Sequence, residues 1–134
     1  MGSFATRGEH APLAVRHVVP TRSHAGKRYL VLGGAGGAGK AAAALLAAEG
    51  AAVVIADVRE QALNEAIASL GPDAGAVTGV VVDLGDAASV AAAIEQATEK
   101  LGGIDGLVNC AAIVRHVDPL ETPWSDWERI FSIN

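Results

Sequence analysis

The chain has 134 residues and is half hydrophobic, which suffices for one modest domain with a buried core and excludes a disordered chain. Its single cysteine, Cys110, excludes an internal disulfide and a cysteine metal cluster, so no metal site is predicted. Residues 29–134 carry five basic and fourteen acidic side chains, a balance that argues against nucleic acid as a partner.

The first 28 residues differ from the rest, with five basic side chains, one acidic side chain and the chain breakers Pro12, Pro20 and Gly26. We expect residues 1–26 to form a disordered basic extension, with a cleaved leader as the alternative, and residues 27–134 to form the domain. The longest apolar run, residues 41–48, is too short to cross a membrane. The single cysteine fits a reducing compartment, and we expect a cytoplasmic protein.

From Lys27 onward, predicted strands and helices alternate along the chain. The apolar runs predict strands at residues 28–32, 51–57, 76–82 and 104–110. Helices are predicted at residues 37–49 and 59–70, from Asp86 to Leu101, and from Thr122-Pro123 with the proline in the first turn. The third helix is expected to present one apolar face, made of Val90, Ile94, Ala97 and Leu101.

This alternation of apolar strands with helices predicts a parallel sheet that is covered on both faces. Right-handed crossovers make it doubly wound, with the strand order 3-2-1-4. The expected fold class is therefore α/β, a Rossmann-type three-layer α/β/α arrangement.

Five glycines lie within residues 33–39, between the first predicted strand and the first predicted helix. A helix start offers unpaired N–H groups and the positive end of the helix dipole, and glycine lets an anionic diphosphate come close. Three dinucleotide fingerprints fit the spacing: Gly34-x-Gly36-x-x-Gly39, Gly33-x-x-Gly36-x-x-Gly39 and Gly33-x-x-x-Gly37-x-Gly39. Spacing alone does not choose among them, and a plain tight turn is the alternative.

Asp57 ends the second predicted strand, which in this topology lies beside the adenosine ribose. A carboxylate there accepts hydrogen bonds from the ribose hydroxyls and repels a 2′-phosphate, which favours NAD over NADP. Arg59 is the counter-argument, because an arginine can meet that phosphate. At the end of the third strand, Asp83 can bind the adenine amino group and Leu84 can cover the ring. The structural alternatives are a strand cap for Asp57, a turn residue for Asp83 and a core leucine for Leu84.

Two further motifs follow in order: Asn109-Cys110-Ala111-Ala112 after the fourth strand, and a tryptophan-containing helix, WSDWERIFSIN, that ends at Asn134. With these motifs, residues 27–134 resemble the N-terminal half of a short-chain dehydrogenase/reductase. The glycine motif of that family is Gly-x-x-x-Gly-x-Gly, which selects Gly33, Gly37 and Gly39. The sequence departs from the family pattern at Leu32, Cys110 and Ala112, which puts cofactor affinity in question more than the fold.

The resemblance implies an NAD(P)-dependent oxidoreductase, with NAD favoured, that transfers hydride between the nicotinamide and a small-molecule alcohol or carbonyl substrate, and a homo-oligomer. Asn134 would be the asparagine of the catalytic tetrad, which holds a water in a proton relay. The implied cofactor-binding residues are Gly33, Ala35, Gly36, Gly37, Ala38, Gly39, Asp57, Val58, Asp83, Leu84, Asn109, Ala111 and Ala112.

The family's catalytic serine and Tyr-x-x-x-Lys pair have no counterpart in these 134 residues, because the only tyrosine, Tyr29, precedes the glycine motif. We therefore expect a fold truncated after the fourth strand and its helix, which is inactive alone. A non-catalytic NAD-binding or interaction module is the alternative, and an extended epimerase-type relative is a weaker one. An uncovered fourth strand would be an apolar edge that favours association with another chain.

Overall fold

The computed structural model describes residues 22–71 and 77–134. The strands are β1 (Arg28–Leu32), β2 (Ala52–Asp57), β3 (Val77–Val81) and β4 (Gly106–Asn109), and the helices are α1 (Gly37–Ala48), α2 (Glu60–Ser69), α3 (Ala87–Leu101) and α4 (Trp124–Ile133). Each element lies where the sequence predicts it, with ends that differ by at most two residues. Pro123 is the N-cap of α4 and does not belong to its first turn.

The four strands form one parallel sheet in the order β3-β2-β1-β4, which confirms the predicted topology. Leu32, at the end of β1, lies opposite Ala56 of β2 and Asn109 of β4. The carboxyl ends of neighbouring strands therefore meet at one edge of the sheet, where doubly wound folds bind their ligands.

The core is divided between the two faces of the sheet, because successive strand residues point in opposite directions. Val31, Val53 and Ile55 pack with α1 and α2 on one face, while Leu30, Val54 and Ala56 pack with α3 on the other. All six side chains are buried. Helices on both faces complete the predicted three-layer arrangement.

The buried face of α3 differs in part from the prediction. Ala93 and Ala97 are buried against the sheet, while Ile94 is 47% exposed. The small alanines, four residues apart, let the helix backbone approach the strands, and this turns the neighbouring isoleucine toward solvent. The expectation for Ala97 is confirmed, and that for Ile94 is wrong.

Of the predicted N-terminal extension, residues 1–21 lie outside the described residues, and residues 22–26 form a turn beside the amino end of β1. The backbone N–H and Oγ of Ser23 both donate to Glu49 Oε2, at 2.9 and 3.1 Å. His24 Nδ1 lies 2.8 Å from the Tyr29 hydroxyl. In the described part of the chain, every helix is too short or too polar to cross a membrane.

Candidate functional site

A cleft of about 370 Å³ opens at the carboxyl edge of the sheet. Each strand contributes residues to it from its end or from the loop that follows. The lining residues are Gly33, Gly36, Ala56, Asp57, Val58, Arg59, Val82, Asp83, Leu84, Cys110, Ala111, Ala112, Ile113, Arg129 and Ile133. The structure thus brings together residues that lie far apart in the sequence, as the predicted topology requires.

Gly33 joins the glycine turn to the segment after β4. Its φ is +71°, and a Cβ added there would lie 2.7 Å from the backbone nitrogen of Ala111. Both the left-handed conformation and the close backbone contact require glycine. This position therefore serves the fold whether or not a ligand is bound.

The other glycines of the turn fall into two groups. A Cβ on Gly34 would clash with Ile55, and one on Gly39 would clash with the Gly33 carbonyl, so both are needed for packing. Gly37 differs, because an added Cβ would meet nothing within 4 Å. It begins α1, whose N-cap residue Gly36 makes no side-chain capping bond. Internal packing therefore does not explain glycine at position 37.

Asp57 lies in the cleft at the end of β2 and is only 8% exposed. Its Oδ2 accepts a hydrogen bond from the Ala35 N–H at 3.3 Å, so the carboxylate holds the glycine turn against β2. Its Oδ1 accepts from the backbone N–H and the Nε of Arg59, at 3.2 and 3.3 Å. The arginine that the sequence left as a potential phosphate ligand is thus paired with Asp57.

The end of β3 supplies the next part of the cleft wall. Asp83 Oδ1 accepts a 2.8 Å hydrogen bond from the Gly85 N–H, which shapes the turn before α3. The adjacent Leu84 is half-buried against the core and lines the cleft. The Asp83 carboxylate residue and the apolar Leu84 thus both line the cleft, although each also has a structural role.

The segment after β4 forms the opposite wall. Asn109 Oδ1 accepts a 3.0 Å hydrogen bond from the Ala111 N–H, so this side chain supports the wall from outside the cleft. Ala111 and Ala112 line the cleft, together with the free thiol of Cys110. The Asn109 side chain therefore fixes the local backbone conformation at Ala111, where the segment contacts Gly33.

Asn134, the predicted tetrad asparagine, holds this wall to α4. Its Oδ1 accepts from the Ile113 N–H at 2.8 Å, and its Nδ2 donates to the Ile113 carbonyl at 3.0 Å. Both polar atoms of the amide are thus engaged by one backbone residue. This geometry is that of a positioning residue, which fixes the loop beside the cleft.

Five of the predicted cofactor-binding residues surround the cleft without lining it, namely Ala35, Gly37, Ala38, Gly39 and Asn109. Seven lining residues were absent from the sequence-based set: Ala56, Arg59, Val82, Cys110, Ile113, Arg129 and Ile133. The signal for two of them was the four-residue spacing of Arg129 and Ile133, which places both on one face of a helix just before Asn134.

Residues 27–134 match the sequence profile of the short chain dehydrogenase family. The chain is 39% identical over 112 residues to the short chain dehydrogenase/reductase dpmpG of Macrophomina phaseolina, an alignment that covers 82% of this chain and 64% of the relative. It is 38% identical over 109 residues to D-threitol dehydrogenase of Mycolicibacterium smegmatis, covering 81% of this chain and 42% of that enzyme.

The fold is also similar to that of solved short chain dehydrogenase structures. The structure superimposes on a short chain dehydrogenase from Mycobacterium smegmatis with a TM-score of 0.77 and 35% identity, covering 84% of this chain and 47% of the other. The chain thus spans 64% of the length of the dpmpG protein. It spans less than half of the length of D-threitol dehydrogenase and of the solved Mycobacterium smegmatis structure.

Proposed function

Since the chain belongs to the short chain dehydrogenase family, we propose that its cleft binds NAD and that the whole protein is an oxidoreductase acting on an alcohol or carbonyl. One observation carries the proposal. The glycine N-cap of α1, Gly36, and a buried carboxylate, Asp57, both line one cleft on the carboxyl edge of a parallel sheet. The cleft volume lies in the lower part of the range of about 300–1,000 Å³ found for ligand sites.

The residues present fit this cofactor. The open start of α1 offers backbone N–H groups to a diphosphate, and the missing Cβ of Gly37 leaves room for it. Asp57, Asp83 and Leu84 all line the cleft. In this proposal Asp57 accepts hydrogen bonds from the adenosine ribose, and Asp83 and Leu84 hold the adenine. When bound, the nicotinamide supplies the hydride acceptor or donor. The chain's own residues bind and orient the cofactor and exclude water.

We favour NAD over NADP because of the charge at the ribose end of the cleft. Asp57 is buried there, and the nearby Arg59 is already paired with it at 3.3 Å. The Asp57 carboxylate is buried and has no room to move away, so it would repel the negative charge of a 2′-phosphate. This supports the choice of nucleotide that the sequence suggests.

No tyrosine lines the described part of the cleft to donate the proton that accompanies hydride transfer. Tyr29 is the only tyrosine of the chain, and it lies at the amino end of β1, hydrogen-bonded to His24. An NAD-binding module without catalysis is the second candidate. The gene sequence after codon 134 separates the two: a downstream serine and Tyr-x-x-x-Lys support the enzyme, and a stop codon supports the module.

The binding proposal can be tested on this chain without any turnover. We expect NAD to protect Cys110, the only cysteine, from alkylation, because this residue lines the cleft. Gly37→Ala is the matched variant, since its methyl group would meet no other described residue within 4 Å beyond its chain neighbours and its own helix backbone. It should leave thermal stability unchanged or slightly higher, while NAD binds roughly tenfold more weakly or worse.

Protection of Cys110 that is equally strong in Gly37→Ala would contradict a diphosphate at the start of α1. For the nucleotide choice, calorimetric titration of Asp57→Asn should show a smaller preference for NAD over NADP than the parent chain shows. Equal affinities of the parent for the two nucleotides would remove the argument from Asp57.

We also propose that copies of this chain associate through the side of the sheet bounded by β4. Leu107 of β4 is 61% exposed and no described strand pairs with its outer edge, so the edge is open to another chain. Light scattering should show oligomers, and Leu107→Lys should shift them toward the monomer. A parent chain that is monomeric at high concentration would refute this proposal.

A further inference from the structure

Arg129 of α4 forms part of the cleft wall, which also includes Val58 and Arg59. It lies four residues before Ile133, so the two side chains share one face of the helix, and both line the cleft. None of the residues of α4 is buried. This face of the helix is therefore free to contact a ligand.

The guanidinium of Arg129 carries a charge that no described acidic residue pairs with. The two acidic residues of α4 are engaged elsewhere: Asp126 pairs with Arg115 at 3.3 Å, and Glu128 accepts a 3.0 Å bond from Trp124 Nε1. Within residues 22–71 and 77–134, the guanidinium of Arg129 makes neither a hydrogen bond nor an ion pair. The other arginine that lines the cleft, Arg59, is paired with Asp57.

The surroundings of this cation indicate what it binds. Next to Arg129, the cleft wall is apolar, with Ile113, Ile133 and Leu84, while Asp83 supplies a carboxylate. A flat aromatic ring with an amino group on its edge suits apolar walls, a carboxylate and a guanidinium plane, since arginine stacks on aromatic faces. A second phosphate suits this end of the cleft less well, because the carboxylates would repel it.

We infer that Arg129 stacks on the adenine ring of the bound nucleotide and closes the α4 side of the cleft. The inference rests on the proposed function and adds a contact from α4 to the adenine site at the end of β3. It assigns Arg129 to the binding of any adenosine-containing nucleotide, independent of a 2′-phosphate.

The test compares two variants that separate the plane of the side chain from its charge. Arg129→Lys keeps the charge and Arg129→Met keeps the length, and both lose the planar group. Calorimetric titration should show NAD, NADP and ADP-ribose binding roughly two- to fivefold more weakly to both variants. Nicotinamide mononucleotide, which has no adenine, should bind as it does to the parent. Arg115→Lys is the control, because Arg115 lies outside this cleft.

Each other outcome overturns the inference. Full affinity in Arg129→Lys would show a charge contact in place of stacking. A loss confined to NADP would show a contact with the 2′-phosphate, and unchanged affinity in both variants, with a parent that binds, would show no contact. A parent chain that binds none of the nucleotides would refute the proposed function, and this inference would fall with it.

Discussion

β2 and β4 flank β1 on its two sides, and they are buried to very different extents. Residues 53–57 of β2 are all buried, whereas β4 alternates between half-buried and exposed residues. The helices follow the same division, because α1, α2 and α3 each bury two residues and α4 buries none. Trp124 and Phe131 of α4 are 74% and 75% exposed.

This difference in burial indicates that the two sides of the cleft are held by different kinds of interaction. The β1–β3 side is held by apolar packing on both faces of the sheet. The β4 side is held by the strand ladder and by a few polar links, among them the Asn134 contact with Ile113 and the Arg28–Asp105 pair. Because the cleft draws residues from both sides, we expect nucleotide binding to depend on the side that is less firmly packed.

The largest effect should come from the core of β2. Ile55 is fully buried, and Ile55→Ala should lower the free energy of unfolding by about 2–5 kcal/mol. The same truncation on the other side, Leu107→Ala, removes an exposed side chain and should cost no more than about 0.5 kcal/mol. Urea denaturation measures both values.

If Ile55→Ala does not fold, Ile55→Val provides the comparison, with an expected cost of about 0.5–1.5 kcal/mol. Equal losses at positions 55 and 107 would show that the two sides are packed alike, against the burial described above.

The next largest effect is expected at Gly33, where the two sides meet. Gly33→Ala puts a side chain at a φ of +71° and 2.7 Å from the backbone nitrogen of Ala111. It should cost about 2 kcal/mol or more, because conformational strain adds to a backbone clash. Gly37→Ala is the control in the same turn. A Gly33→Ala chain as stable as Gly37→Ala would show that the backbone contact is not a constraint.

The fold was largely predictable from the sequence, because its determinants are local and repeat along the chain. The apolar run RYLVL, the chain breaks at Gly71 and Gly102, and the cap at Asp86 mark elements whose alternation leaves few topologies open. Asp86 does cap α3, accepting from the Ala88 N–H at 2.9 Å. The strand order then placed Gly33, Asp57 and Asp83 at one edge of the sheet.

The features that the sequence did not predict depend on how a helix is rotated about its own axis, because this rotation decides which residues contact the sheet or the cleft. In α3, alanine and isoleucine are both apolar, so periodicity did not show that Ala93 and Ala97 contact the sheet while Ile94 faces solvent. In α4, the role of Arg129 as a cleft residue depends on how the helix lies against the loop after β4. That orientation is set in part by the side chain of Asn134, whose two hydrogen bonds to Ile113 have no signature in the sequence.

A smaller and more local effect is expected when this link is cut. Asn134→Ala removes both bonds to Ile113 and should cost about 1 kcal/mol, with the loss confined to the β4 side. Hydrogen exchange should become faster at the Ile113 amide and stay unchanged in β2. Asn134→Asp keeps an acceptor for that amide and should exchange more slowly than the alanine variant. Uniformly faster exchange across the sheet would contradict a local role.

The smallest effect should come from the Arg28–Asp105 pair, which joins the two sides at the opposite end of β1. Hydrogen bonds from the Arg28 side chain lower the pKa of Asp105 from 3.8 to about 2. Because the folded-state pKa is depressed, the pair stabilises the fold above pH 3.8, and this contribution is lost as the pH falls through about 2. Both side chains are about one third exposed, 35% and 31%, so the effect is screened by solvent.

Asp105→Asn should therefore lower the thermal unfolding temperature slightly at pH 7, and the difference from the parent should shrink between pH 4 and pH 2. A double-mutant cycle with Arg28→Gln isolates the pair, since Asp105→Asn should have little further effect once the guanidinium is gone. No difference between Asp105→Asn and the parent at any pH would mean that Asp105 acts through its hydrogen bond to the Arg28 backbone N–H, at 2.9 Å, which an asparagine can still accept. In that case the two sides would be joined at this end by neutral backbone contacts, and the ion pair would contribute nothing to their association.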